Sequence, residues 1–195
     1  MNITSRLQEI LKDNRSAIEN TFRDGNLKVL ETVANEMATV LKHRGTIFLC
    51  GNGGSAADAQ HIAAEFIGRF KKERKSLPAI ALTTDSSILT ALANDYSYDI
   101  VFARQIEGLA EKGDLLIAIS TSGNSKNIIE AVKKASEMGL KTVGFTGETG
   151  GKLAGMADIT FKAQSKHTSH IQETHITALH AVSEIVEDIL SEHAS

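Results

Sequence analysis

The stretch Thr46–Glu65, TIFLCGNGGSAADAQHIAAE, decides how the rest of the chain is read. Ile47, Phe48, Leu49 and Cys50 form a short apolar run rich in β-formers, which breaks at Gly51-Asn52-Gly53-Gly54-Ser55. The residues that follow have helical composition and bring His61 and Glu65 onto one face, four positions apart. A buried strand thus feeds a donor-rich turn, and the turn feeds a helix whose N-terminus points back at it. The unpaired amides of that first turn and the helix dipole together favour an anion. The His61–Glu65 pair has two readings: a solvent-side contact, or a polar pair lining a pocket, which its small and apolar neighbours Ile62, Ala63 and Ala64 favour.

Working outward, the same alternation recurs. Ile3, Leu7, Ile10, Leu11 and Ile18 follow helical spacing, and Asp24-Gly25-Asn26 reads as a break. A second helix carries Leu27, Leu30, Val33, Met37, Val40 and Leu41 as its apolar stripe and ends at Lys42-His43-Arg44 with Gly45 as cap. After the 46–50 strand and its helix, Lys71–Lys75 reads as a solvated loop and Pro78–Thr83 as a second strand. A short helix over Ser86–Ala93 leads into Asn94-Asp95-Tyr96, and another helix spans Asp99–Glu111. Asp114–Ile119 is a third strand, 126–138 a helix, Lys141–Thr146 a fourth strand, Asp158–Phe161 a fifth, and Ser169–Glu192 a closing helix. Strands alternating with helices predict an α/β fold, a three-layer α-β-α sandwich around a five-stranded parallel sheet of flavodoxin/Rossmann-like type. We expect a single domain over 1–195, with 1–44 as an N-terminal helical arm and 45–195 as the parallel core. In such sheets ligands sit outside the carboxyl ends of the strands. Both unusual loops, 51–55 and 120–125, fall there.

The bulk numbers exclude several classes of function. A net charge of −3 and no long basic run argue against nucleic acid as a partner. Cys50 is the only cysteine, so neither a disulfide framework nor a cysteine zinc site is available, and a packed thiol is expected. No apolar run reaches the ~20 residues of a membrane helix, and the charged N-terminus does not resemble a signal peptide. A cytoplasmic location is expected.

Gly51-Asn-Gly53-Gly-Ser-Ala56 formally matches G-x-G-x-x-A, but the acid that would hold a ribose is missing from its place about 20 residues on; Asp85 comes 34 residues after Gly51. No nucleotide cofactor is expected. Thr146–Leu153 fails as a P-loop, because Thr146 replaces the first glycine and Leu153 the hydroxyl residue. Ser120, Thr121, Ser122 and Ser125 place four hydroxyls in six residues just before a helix. One hydroxyl suffices to cap that helix; four suit the acceptor oxygens of a phosphate. On the last helix His175 falls on the apolar stripe with Ile171, Ala178, Val182, Ile185 and Ile189 and reads as a core or interface histidine. Gln172, Ile176 and His180 share an adjacent row, so His180 either faces a pocket with Gln172 or does not. His43, His167, His170 and His193 read as loop or helix-end residues.

Taken together, these residues closely resemble the sugar isomerase (SIS) domain family, in its heptose-phosphate members. The matching segments are CGNGGSAADAQHIAAEFIGRF at 50–70, LTTD at 82–85, AND at 93–95, STSGNS at 120–125 and IQETH…H at 171–180. The resemblance implies reversible conversion of D-sedoheptulose 7-phosphate to D-glycero-D-manno-heptose 7-phosphate, the first step of bacterial heptose synthesis. It implies Glu65 as the base moving a proton between C1 and C2, and His180 as its acid/base partner. Asn52, Gly53, Gly54, Ser55, Glu65, Asn94, Asp95, Ser120, Thr121, Ser122, Ser125 and Gln172 would contact the sugar phosphate. It further implies zinc held by His61, Glu65, Gln172 and His180, and a homotetramer with active sites at subunit interfaces. Two features strain it: Gln172 and His180 are ~12 Å apart along a regular helix, and His170 stands where many relatives carry arginine. The competing expectations are a non-catalytic SIS protein that binds a replication-initiator partner, which would lack a histidine at 180, and an isomerase or sensor of another sugar phosphate.

Overall fold

The computed structural model describes residues 1–191. Its centre is a five-stranded, all-parallel sheet of β1 (Ile47–Cys50), β2 (Ala79–Ala81), β3 (Leu115–Ile119), β4 (Lys141–Gly147) and β5 (Ile159–Ala163), in the order β2-β1-β3-β4-β5. The chain moves one way from β1 to β2 and the other way from β3 onward, so the topological switch lies between β1 and β3. Cys50 pairs with Ala118 there, which brings the loops that follow the two strands together. This is the α/β sandwich the alternation predicted.

Strand parity divides the core into two layers. Ile47 and Leu49, with Leu115, Ile117, Val143 and Phe145, face a layer made by α2 (Asp24–Lys42), α3 (Gly54–Ile67) and α7 (Thr168–Ser191). Phe48, Cys50, Leu116 and Ala118 face the opposite layer, made chiefly by α5 (Ala103–Leu109) and α6 (Lys126–Glu137). A sheet covered on both faces needs continuous apolar strands rather than alternating ones, and every residue of β1 and β3 is buried. Cys50 is fully enclosed, and burial raises its thiol pKa far above the usual range, as expected of a packed cysteine.

The two helices of 1–44 have different environments. α2 is built into the core through Leu30, Val33, Ala34 and Met37. α1 (Ile3–Thr21) buries only Ala17 and Thr21 and leaves Ile3, Leu7, Ile10 and Leu11 exposed. It is tied down at its C-terminal end, where the Thr21 hydroxyl accepts from the Gln164 amide and Asn26 donates to the carbonyls of Thr21 and Lys162.

Several local expectations need correcting. The break between α1 and α2 falls at Phe22-Arg23, and Asp24-Gly25-Asn26 form the first turn of α2, where Asn26 contributes through its side chain. Beyond α2 the left-handed residue is Arg44 (φ 64°) rather than Gly45, whose N–H donates to Val40. Leu27 and Ile185 are exposed; the buried row of α7 passes instead through Val182, Ser183, Val186 and Glu187. The helix expected over Asp99–Glu111 divides into a 3-10 turn (Tyr98–Ile100) and α5, while α4 (Ser86–Asp95), capped by Asp85, extends through Asn94 and Asp95. The 71–75 loop is not uniformly solvated, since Arg74 has only 11% of its side chain exposed and pairs with Glu187. The expected helix end at Glu192, and His193, lie outside the described residues.

Candidate active site

At the switch point, the 51–55 and 120–125 loops are locked to neighbouring elements by reciprocal contacts. Asn52 exchanges two hydrogen bonds with Asn127, on the first turn of α6, at 2.8 and 2.9 Å. The Ser120 hydroxyl donates to Ser125 at 3.1 Å, and Ser125 occupies the N-cap of α6 without bonding its amides through its side chain. The helix N-terminus is therefore not closed by its own cap, and hydroxyls of the loop converge beside it. An unclosed helix N-terminus suits an anion, and the loop also holds an ST-turn, made by Ser122 rather than Ser125. Ser122 accepts from the Asn124 amide, while Ser120 and Ser55 are buried.

The 146–153 segment, which failed as a P-loop, instead buttresses the 120–125 loop. Gly147 N–H donates to Thr121, Leu153 N–H donates to Gly123, and the Asn124 side chain accepts from the Lys152 amide. Gly123 has φ 66°, and a Cβ there would lie 2.1 Å from the Gly150 carbonyl oxygen. No side chain fits between these two turns.

α3 and α7 bring three side chains together. His61 Nε2 and His180 Nε2 lie 2.8 Å apart, so one ring donates to the other. His61 Nε2 is 3.4 Å from Glu65 Oε1. One ligand atom from each of His61, Glu65 and His180 falls within 4.8 Å of the others, a grouping able to hold a metal ion. His180 joins the His61–Glu65 pair, whose side chains are 50% and 21% exposed. Gln172 lies farther along α7 with its amide against Gly54, where an added Cβ would come 2.6 Å from its Nε2. α7 is continuous from Thr168 to Ser191, so no distortion shortens the Gln172–His180 rise.

Environment tunes the titrating groups around the cleft. Partial burial lowers the pKa of His180, the neighbouring His61 lowers it further, and Glu65 opposes both. Asp58, one turn before His61, has a buried Oδ2 with no hydrogen-bond partner; desolvation raises its pKa to about 6 against the lowering effect of His61. Phe70 stacks on His180 with ring centroids 5.6 Å apart and an interplanar angle of 27°. Sequence reasoning missed both Asp58 and Phe70. Asp58 carried a signal in its i,i+3 spacing to His61, whereas Phe70 sits in a loop whose path no local pattern specifies. Asn94 and Asp95 are exposed at the end of α4 and bond each other at 2.8 Å. His175, as expected, is fully buried: its Nε2 bonds the Thr146 carbonyl at 2.9 Å, and burial depresses its pKa to about 4.

The chain resembles known proteins over most of its length. Residues 5–147 match the family model described as SIS domain. The chain is 56% identical over 162 residues to the phosphoheptose isomerase of Aquifex aeolicus, covering 83% of this chain and 85% of that one. It is 48% identical over 192 residues to the phosphoheptose isomerase of Thermodesulfovibrio yellowstonii, covering 98% and 95%. The solved structure of phosphoheptose isomerase from Neisseria gonorrhoeae superposes with a TM-score of 0.91 at 40% identity, covering 96% of this chain and all of that one. A chain with this sheet order, these two loops and this cleft, matched over nearly its whole length, belongs to the SIS-domain family in its phosphoheptose isomerase branch.

Proposed function

We propose that the protein interconverts D-sedoheptulose 7-phosphate and D-glycero-D-manno-heptose 7-phosphate. The observation that carries this reading is the convergence of Glu65 and His180 from α3 and α7, where α3 starts from the anion-suited 51–55 loop. Aldose–ketose isomerisation needs one base that removes and returns a carbon-bound proton, and a second group that shifts protons between the two oxygens. From the ketose, Glu65 takes a proton from C1 as the C2 carbonyl becomes an enediolate oxygen. The same carboxyl then delivers the proton to C2, while His180 moves the hydroxyl proton from O1 to O2 to leave the C1 aldehyde. Partial burial and the neighbouring His61 lower the His180 pKa, which favours the neutral imidazole able to accept the O1 proton before passing it to O2.

The phosphate is assigned to Ser120, Thr121, Ser122 and Ser125 with the open N-terminus of α6, and the Asn52–Ser55 turn completes the cradle. Asn94, Asp95 and Gln172 are assigned to the sugar hydroxyls. Two imidazole nitrogens and a carboxylate oxygen at mutual ligand distance form a donor set zinc accepts. His61, Glu65 and His180 would hold it, whereas Gln172, against Gly54 two turns away on an unbroken α7, does not fit as the fourth ligand within one chain. Such an ion would supply Lewis-acid polarisation of the carbonyl.

The apolar residues Ile3, Leu7, Ile10 and Leu11, exposed on α1, offer a face that a second subunit can cover, and we assign the protein to a homotetramer with active sites at subunit interfaces. Among the described residues no helix is long and apolar enough to cross a membrane, and we assign the reaction to the cytoplasm. The test is an NMR assay of the purified protein on sedoheptulose 7-phosphate with added zinc. Appearance of the aldose heptose phosphate is expected; no turnover would favour the protein-binding reading, and turnover of a different sugar phosphate alone would reassign the substrate.

A further inference from the structure

One buried ion pair lies behind the cleft. Glu187, 2% exposed, sits on α7 two turns beyond His180. A carboxylate so enclosed must be matched by donors, and it is: the amides of Phe70, Lys71 and Lys72 donate to it at 3.2, 2.8 and 2.8 Å, and Arg74 Nε at 2.9 Å. Burial alone would raise its pKa, but the backbone donors and the guanidinium outweigh that and hold it below the usual carboxylate range.

The other edge of the Arg74 fork grips the end of α3. Nη2 donates to the Glu65 carbonyl at 2.7 Å, and Nη1 donates to Phe66 at 2.9 Å, Lys75 at 3.1 Å and Gly68 at 3.4 Å. These include last-turn carbonyls that a helix leaves unpaired, met by a cation at the negative end of the dipole. A short path of hydrogen bonds therefore runs from the main chain of Glu65, through Arg74 and Glu187, to the helix that carries His180. The same clamp fixes the Phe70 amide, and the Phe70 ring lies on the face of His180.

We propose that Arg74 and Glu187 are positioning residues of the isomerase: they pin the 68–75 loop between α3 and α7, setting the Glu65–His180 distance and seating Phe70 as the rest for the His180 ring. Neither contacts the reacting atoms. The inference rests on the isomerase reading above. A loop held only for stability would need no aromatic ring on a catalytic imidazole, and a cap needed only for α3 would not have to be shared with α7. The exposed pairs Lys71–Glu184 and Lys72–Asp188, each at 2.7 Å, flank the clamp; surface pairs of this kind add little.

The variants are Arg74→Lys, which keeps the charge but loses the fork, and Phe70→Ala, which removes the ring and leaves the clamp in place. Each is assayed for kcat and KM on the heptose phosphates, for zinc affinity by competition with a chromophoric chelator, and for melting temperature. Misplacing acid/base groups by ~1 Å costs on the order of 100-fold. We expect Arg74→Lys to lower kcat about 10- to 100-fold with KM changed less than about 3-fold, and to weaken zinc about 10-fold or more, the usual effect of disturbing ligand support. Phe70→Ala should lower kcat about 10-fold, and Phe70→Tyr, which keeps the ring, should restore it. Unchanged kcat in Phe70→Ala, or in folded Arg74→Lys with only its melting temperature reduced, would overturn the proposal. If Arg74→Lys does not fold, the Phe70 pair decides alone. A wild type that turns over without binding zinc would remove the metal reading and leave the kcat comparison standing.

Discussion

The loops after β1 and β3 and the cleft between α3 and α7 solve opposite problems. At the loops, main chain presses on main chain: Gly123 meets Gly150 too closely for any side chain, and the Asn52–Asn127 amides close a reciprocal pair. Such a site is rigid because its backbone has few alternatives, and it offers neutral donors suited to holding an anion still. Between α3 and α7, His61, Glu65 and His180 arrive from two helices that the Arg74–Glu187 pair ties together. The contrast separates binding from turnover. Damage to the loops should appear mainly in KM, and damage to the cleft mainly in kcat.

The largest effects should come from the cleft. Glu65→Gln keeps the shape of the side chain and removes its basicity, so kcat should fall by about 10³-fold or more, within the range attributed to a positioned general base. His180→Gln should cost about 10²-fold or more. In both variants circular dichroism and oligomeric state should match the wild type, and KM should move little. Full activity in either would remove that residue from the mechanism and break the division between the regions.

The two regions are also unequally legible in the sequence. The strand-loop-helix units at 46–65 and 114–138 announce themselves locally, because apolar runs ending in Gly-Asn-Gly-Gly-Ser or Ser-Thr-Ser-Gly-Asn-Ser specify both the strand and its turn. Their meeting follows from parallel topology alone. The cleft is only half legible. His61 and Glu65 share a helix face, but nothing local says that His180, 119 residues after His61, lies 2.8 Å away. Arg74 reads as solvated because it sits in Lys-Lys-Glu-Arg-Lys, where its neighbours are indeed exposed, and a charge run does not reveal which member meets a buried acid. The register of α7 is misread for a related reason. Ile185 fits an apolar stripe by composition, yet the buried row passes through Ser183 and Glu187, polar residues that hydrogen-bond there.

His175 joins the two regions, since it lies on α7 between Gln172 and His180 and bonds the Thr146 carbonyl near the end of β4. Its Nδ1 is buried without a partner, so a second proton would have nowhere favourable to go. Because its folded pKa is depressed to about 4 from the ordinary histidine value of 6.5, the unfolded chain binds the extra proton between those values and the native state does not. The stabilisation is therefore complete above pH 6.5 and is lost as pH falls toward 4, by about 3 kcal/mol in total. Denaturant unfolding across this window should show that slope, and His175→Gln, which retains a donor for Thr146, should flatten it. An unchanged slope in the variant would place the titration elsewhere.

A smaller effect is expected where the turns meet. Gly123→Ala puts a Cβ 2.1 Å from the Gly150 oxygen at a positive φ, and relieving that contact should cost about 2 kcal/mol of stability. The 120–125 loop must shift to make room, so KM should rise about 10-fold while kcat falls by less than about 3-fold. A variant that loses kcat but keeps KM would show that the loop governs the cleft as well as the phosphate.

The smallest effect tests the loop one hydroxyl at a time. Ser120 is buried and donates to Ser125, which stands at the unclosed N-terminus of α6. If these hydroxyls serve a phosphate, removing one withdraws a single neutral hydrogen bond from a site with several donors. That is worth about 1 kcal/mol, or roughly a 5-fold rise in KM. Ser120→Ala and Ser125→Ala should each show this with kcat unchanged, and the double variant should show less than the product, because each single change already breaks their shared bond. If the hydroxyls only shaped the turn, both variants would lose stability by a similar amount and leave KM unaltered. The split between KM and melting temperature thus separates a phosphate cradle from a capped turn, which composition alone leaves open.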